Sequence, residues 1–215
     1  MLIACWSAKG GSGTTVVAAA LASLLARSSA GAVLADLAGD VPAVLGLPEP
    51  DGPGLAQWLE AGAAVPADAL TRLEVAAGDG LAVLPCGGPL PDAPGRGDVL
   101  AALFAADVRP VVADCGCAPS GPRLAVAAGA GQSLLVLRPC YLGLRRAVAS
   151  PLRPSGVVLI EEEGRAISRR DVEGALGIPV RAVVAHDHRI ARAVDAGLLS
   201  SRVPALLRRS LRDVA

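Results

Sequence analysis

Apolar runs of four to six residues recur along the chain at Leu2–Trp6, Ala32–Asp36, Leu81–Leu84, Pro110–Cys115, Ser133–Leu137, Gly156–Glu161 and Val180–Ala185. Such short runs, bounded by turn-forming residues, read as strands. Between them the apolar spacing changes to three and four. That predicts helices over Thr14–Arg27, Leu55–Ala61, Asp98–Ala105, Pro122–Ala130, Leu142–Ser150, Ser168–Leu176, His188–Leu198 and Pro204–Val214. Strands that are nearly all apolar, rather than alternating, are covered on both faces, and the intervening helices supply the cover. The expected fold is α/β, a doubly wound, mostly parallel sheet with helices on both faces.

Pro and Gly cluster at Leu47–Gly54 and Pro85–Gly97, between periodic segments, and read as long surface loops within one domain spanning residues 1–215. No internal repeat, heptad run or linker is visible. A chain of 215 residues that is 53% hydrophobic can fill a substantial core, but aromatics make up only 2%. The core must therefore be closely packed Ala, Val and Leu. Twenty acidic and twenty basic residues cancel, so no global field draws the chain to nucleic acid, which is not an expected partner. The five cysteines, Cys5, Cys86, Cys115, Cys117 and Cys140, follow no secretory signal and lie mostly in or beside apolar runs. They read as reduced thiols in a cytoplasmic protein. No apolar run reaches bilayer-spanning length.

The chemistry concentrates after the first strand, where Lys9-Gly10-Gly11-Ser12-Gly13-Thr14-Thr15 leads into a helix. Glycines let backbone N–H groups converge on a phosphate, and a helix N-terminus adds partial positive charge. The ordinary phosphate loop is G-x-x-x-x-G-K-[ST], with its lysine on the outer phosphates and its hydroxyl on magnesium. Here Ala8 stands at the first glycine and Thr14 at the lysine. Lys9-Gly10-Gly11 nevertheless resembles the deviant phosphate loop of the ParA/MinD superfamily of P-loop ATPases, K-G-G-x-G-K-[ST]. The resemblance implies a P-loop NTPase fold of the SIMIBI type with ATP and Mg2+ as cofactors. It makes Lys9 the signature lysine that reaches across a homodimer to the partner's nucleotide. Gly10, Gly11, Ser12, Gly13 and Thr14 become the cradle and Thr15 the magnesium ligand. Of twenty basic residues nineteen are arginine, and Lys9 is the lone lysine. Loops reading K-G-G-x-G-[AT]-T, without the second lysine, are similar to those of the TadZ/CpaE branch, which positions pilus and secretion machinery.

Val33-Leu34-Ala35-Asp36-Leu37-Ala38-Gly39-Asp40-Val41, followed by Leu45-Gly46-Leu47, looks like the switch I segment of that branch, in which a Gly-Asp pair opens a helix. Asp36 is then the first switch aspartate, near magnesium, and Ala38 stands where the family has its second. A strand-end carboxylate accepting local hydrogen bonds is the alternative for Asp36, and a helix N-cap the alternative for Asp40. Pro110-Val111-Val112-Ala113-Asp114 has the Walker B form, an apolar strand whose terminal aspartate, Asp114, holds magnesium through water. The Cys115-Gly116-Cys117 run has no companion Cys or His pair, so buried thiols are expected rather than a metal centre. Arg138-Pro139-Cys140 resembles the family's later strand end, which places Pro139 on the adenine side. By the same likeness Asp187, between His186 and His188, falls in the base-contacting loop.

The C-terminal region carries Arg189, Arg192, Arg202, Arg208, Arg209 and Arg212. Leu206, Leu207 and Leu211 lie opposite arginines, so this segment either docks on the domain or makes a peripheral membrane contact, as the terminal helix of MinD relatives does. The resemblance implies a homodimeric, ATP-binding positioning or scaffolding protein with slow or absent hydrolysis, and a secretion or pilus ATPase or a polar scaffold as partner. Two other readings stay open: a competent partition or septum-placement ATPase, and an interaction module that binds no nucleotide.

Overall fold

The computed structural model describes residues 1–62, 65–66, 68–200 and 203–215; Arg202 lies outside them. The strands are β1 (Leu2–Ser7), β2 (Ala32–Asp36), β3 (Val75–Ala76), β4 (Leu81–Leu84), β5 (Val111–Cys117), β6 (Gln132–Leu137), β7 (Gly156–Glu161) and β8 (Val180–Ala185). The helices are α1 (Thr14–Ser28), α2 (Val41–Leu45), α3 (Leu55–Glu60), α4 (Ala69–Arg72), α5 (Arg96–Ala106), α6 (Gly121–Gly129), α7 (Tyr141–Val148), α8 (Arg169–Leu176), α9 (His188–Asp195) and α10 (Ala205–Leu211). They form one eight-stranded sheet in the order β3-β4-β2-β5-β1-β6-β7-β8, and every pairing is parallel except that of the short edge strand β3 with β4.

Both faces of the sheet are dry, which is why the central strands carry no polar alternation: β1 and β2 are buried at every position. On one face Ile3, Leu34, Val112 and Val136 pack with Val17, Leu21 and Leu25 of α1, Leu45 of α2, and Leu207 and Leu211 of α10. On the other face Ala4, Val33, Leu135 and Val157 pack with Leu59 of α3, Leu100 and Phe104 of α5, Val126 of α6 and Val172 of α8. Small side chains dominate, as the composition requires, with Trp6, Trp58 and Phe104 the aromatic exceptions, and Trp6 has a polar partner. Trp6 is fully buried and donates its indole N–H to the Ser133 hydroxyl at 3.1 Å.

α10 lies on β8 and α1, with Leu207 and Leu211 buried and Arg208, Arg209 and Arg212 exposed. The apolar face expected either to dock or to meet a membrane is thus spent on the domain itself. Among the described residues no helix is long and apolar enough to cross a membrane.

Candidate functional site

β1 is the topological switch point of the sheet: its neighbours β5 and β6 lie on opposite sides, and the chain leaves its C-terminal end through the glycine loop. In open α/β sheets this position opens a crevice for ligands. The loop is shaped by its own backbone. The Ser12 hydroxyl donates to the Lys9 carbonyl at 2.7 Å, and Gly11 and Gly13 hold φ of 75° and 86°, the left-handed region that favours glycine. A Cβ built on Gly10, Gly11 or Gly13 would meet no heavy atom within 4 Å, so open space lies beside the loop at all three.

Gly13 is the N-cap of α1, and no side chain caps the helix or places an acid in its first turn. The leading N–H groups of a 15-residue helix are left for an external acceptor, with the helix dipole favouring an anion. Thr14 is buried and Thr15 half-buried at this helix start. Lys9 is half-buried, and its ammonium has no hydrogen-bond or ion-pair partner among the described residues.

Asp36 and Asp114 face each other in register at the ends of β2 and β5, and both are fully buried. Their surroundings differ. Asp36 Oδ1 accepts the N–H groups of Ala38 and Gly39 at 3.0 and 2.6 Å, and Oδ2 accepts that of Val41 at 3.1 Å. Its carboxylate therefore folds the following turn and caps α2. Burial raises its pKa, and those three N–H bonds pull the other way. Asp40 is the N-cap residue of α2 by position, but its exposed side chain accepts no capping hydrogen bond: Asp36 takes the Val41 N–H, and Pro42, at the second helical position, has no N–H to give.

Asp114 Oδ1 accepts the Gly116 N–H at 3.0 Å, while Oδ2 is buried with no hydrogen-bond partner among the described residues. Burial pushes this carboxyl up to about 6, and the nearby Thr15 hydroxyl and the Gly116 N–H oppose the rise. The thiol that follows, Cys115, is buried and raised by desolvation, whereas Cys117 is exposed at the strand end. The expectation of buried thiols thus holds for Cys115 and not for Cys117. A shift of register between Cys5 and Ser7 of β1 against β5 accounts for this: Cys5 pairs Asp114 but Ser7 pairs Cys117, so the bulge after Asp114 carries the strand outward. Among the described residues no group of three or more His, Cys, Asp or Glu is arranged to hold a metal by itself.

A cavity of about 290 Å³ adjoins the loop. Gly11, Ser12 and Gly13 form one end, and Ile160, Val184 and Ile190 give it an apolar wall, with His186 and Asp187 at its edge. Asp187 also N-caps α9, accepting the Arg189 N–H at 2.7 Å. Pro139 is buried and does not line the cavity; Arg138, one residue earlier, does. The structure thus gathers Gly11, Ser12, Gly13 and Asp187 around one cavity, with Lys9, Thr14, Thr15, Asp36, Asp40 and Asp114 on the adjoining loop and strand ends.

The residues present suit a nucleotide with magnesium. The glycine loop and uncapped helix offer donors to phosphate, the cavity beside them is sized and lined for an apolar ring system, and the orphaned Asp114 Oδ2 beside Thr15 suits a hydrated cation. Arg138 and the cavity wall are the features sequence reasoning missed. Their signal was positional, since residues just after parallel strands border the ligand crevice.

Neither a protein-family model nor a curated protein sequence matches the chain. Solved structures do. The ParA family ATPase from Chlorobium tepidum TLS superposes with a TM-score of 0.79 at 18% identity, over 99% of this chain and 97% of that one. The septum site-determining protein MinD from Pyrococcus horikoshii OT3, complexed with Mg-ADP, gives 0.77 at 18% identity, over 99% and 93%. The Pyrococcus furiosus cell division ATPase MinD gives 0.75 at 21% identity, over 100% and 99%. This chain therefore has the fold of the ParA and MinD ATPases, a P-loop NTPase fold of the SIMIBI type.

Proposed function

We propose that this protein binds ATP with Mg2+ at the Lys9–Thr15 loop and acts as a cytoplasmic, nucleotide-dependent positioning or scaffolding protein of the ParA/MinD type. The observation that carries the reading is the open glycine cradle ending in the uncapped start of α1, one strand away from a buried aspartate with an unpaired oxygen. In this reading Gly10 to Thr14 hold the phosphates through backbone donors, and Thr15 and Asp114 hold the metal. Asp36 shapes the switch segment, and Asp187 borders the base. Magnesium would supply charge neutralisation between the phosphates.

Hydrolysis is slow or absent because two charged groups are missing. Thr14 takes the place of the lysine that stabilises the outer phosphates, a loss worth about 3 kcal/mol of transition-state stabilisation for one such group. Ala38 takes the place of the second switch carboxylate. The same absence of the loop lysine supports the TadZ/CpaE-like reading, in which the partner is a pilus or secretion apparatus. The unpaired Lys9 ammonium supports a homodimer in which each lysine serves the other subunit's nucleotide. Analytical ultracentrifugation tests the device as a whole: a monomer without nucleotide that becomes a dimer with ATP·Mg2+ supports it. A sedimentation coefficient that ATP leaves unchanged contradicts it.

A further inference from the structure

We propose that Arg138 supplies, from the neighbouring strand end, the phosphate-facing positive charge that the loop lacks at Thr14; this rests on the reading of the loop as a nucleotide phosphate site. Arg138 directly follows β6, whose Leu134 and Leu135 pair with Cys5 and Trp6 of β1, so the two strand ends, and hence Arg138 and the loop, are neighbours. Its Nη1 donates to the Gly11 carbonyl at 3.2 Å. It also lines the cavity that Gly11, Ser12 and Gly13 close at one end, and no other Lys or Arg does so among the described residues.

The guanidinium is held and not neutralised. Glu162, after β7, pairs with Arg138 and also with Arg165, so one carboxylate is shared between two guanidiniums, while Asp187 and Asp195 line the cavity elsewhere. The Arg138 side chain remains 34% exposed. A guanidinium has five donors in a planar fork suited to phosphate oxygens; the contacts to Gly11 and Glu162 leave others free to meet a ligand. A brace for the Gly11 carbonyl would need one neutral donor. An arginine at this point adds a charge beside Gly11 to Gly13, in addition to that of Lys9 at the start of the loop, where Thr14 supplies none.

Arg138→Gln keeps a donor for Gly11 and removes the charge. Calorimetric titrations of wild type and R138Q with ATP·Mg2+, ADP·Mg2+ and adenosine separate the roles. The expected result is an ATP affinity at least about tenfold lower in R138Q with adenosine affinity unchanged, near-wild-type affinity in Arg138→Lys, and recovery in R138Q when Thr14→Lys is added. Thermal melts confirm that the variants fold. Should R138Q fail to fold, R138Q with Glu162→Gln, which strands no carboxylate, is measured against the same expectations. Equal ATP affinity in wild type and R138Q, or an equal loss for ATP and adenosine, overturns the role of Arg138 while leaving the site standing. Absence of ATP binding by the wild type overturns the reading of the loop and Arg138's role with it.

Discussion

Asp36 and Asp114 are register partners on adjacent parallel strands, equally buried, yet only Asp114 keeps an open oxygen. Three backbone N–H groups occupy the Asp36 carboxylate, so two residues that look alike at strand ends do different work. One organises the chain, and the other is free for a ligand.

That difference predicts opposite phenotypes. Asp36→Ala leaves the N–H groups of Ala38, Gly39 and Val41 without their acceptor and should cost about 2 kcal/mol or more of stability, the scale of hydrogen bonds to a charged group. Asp114→Asn should fold at least as stably as wild type, because it removes a buried charge, but should lose the gain in ATP affinity that Mg2+ brings. Urea denaturation and titrations with Mg2+ or EDTA check the pair. Equal destabilisation by both variants would count against the assignment.

Asp114 also sets a pH dependence. Its folded-state pKa of about 6 lies above the ordinary aspartate value of 3.8, so the folded state binds the proton more tightly. The penalty for ionising it is absent below about pH 4, grows as pH rises towards 6, and is fully present above. A rise of about two units corresponds to about 3 kcal/mol. Burial raises Asp36 as well, with the same sign. Without ligand, the contribution of Asp114 to stability should fall between about pH 4 and 6, and Asp114→Asn should remove that part of the fall. Denaturation midpoints across the range, compared between wild type and variant, measure it.

Much of this architecture was legible in the sequence. The bounds of β2 and β4 coincide with their apolar runs, because strands buried on both faces leave uninterrupted apolar text, and those of β7 and β8 coincide as well, although edge strand β8 alternates buried and exposed positions. β3 was not legible: two exposed residues on an edge carry no pattern. Nor was α4, four residues long, barely more than one turn and too short for an apolar spacing to repeat. The loop read clearly because its residues are contiguous. The cavity did not, since Arg138, Ile160, Val184 and Ile190 come from the ends of three strands and a helix. Only sheet order brings them together. Asp36 and Asp114 were both legible as strand-end carboxylates, but which one is saturated depends on the turn from Ala38 to Val41, which no local motif encodes.

Turnover should be slow. A kcat well below about 1 per second, at the bottom of the ordinary enzyme range, is expected from phosphate release with saturating ATP·Mg2+. Thr14→Lys alone should tighten ATP binding more than it raises turnover, because Ala38 still lacks a carboxylate. A restored rate in that single variant would show that Ala38 is not limiting.

Lys9→Ala should leave ATP binding by the monomer within about twofold of wild type and weaken ATP-dependent dimerisation, since the ammonium has no hydrogen-bond or ion-pair partner among the described residues. Sedimentation of both proteins with and without ATP checks this. A variant that dimerises as well as wild type would reduce Lys9 to a residue of the turn.

The most direct test of the central claim is a calorimetric titration of ATP·Mg2+ into wild type and Gly13→Val. Gly13 sits at φ 86° at the start of α1, where a β-branched residue is strained and its side chain would stand where phosphate is expected. The account predicts saturable binding by the wild type and none by the variant, with both proteins folded by circular dichroism. No heat and no thermal shift for the wild type at millimolar ATP, or equal binding by Gly13→Val, would contradict it.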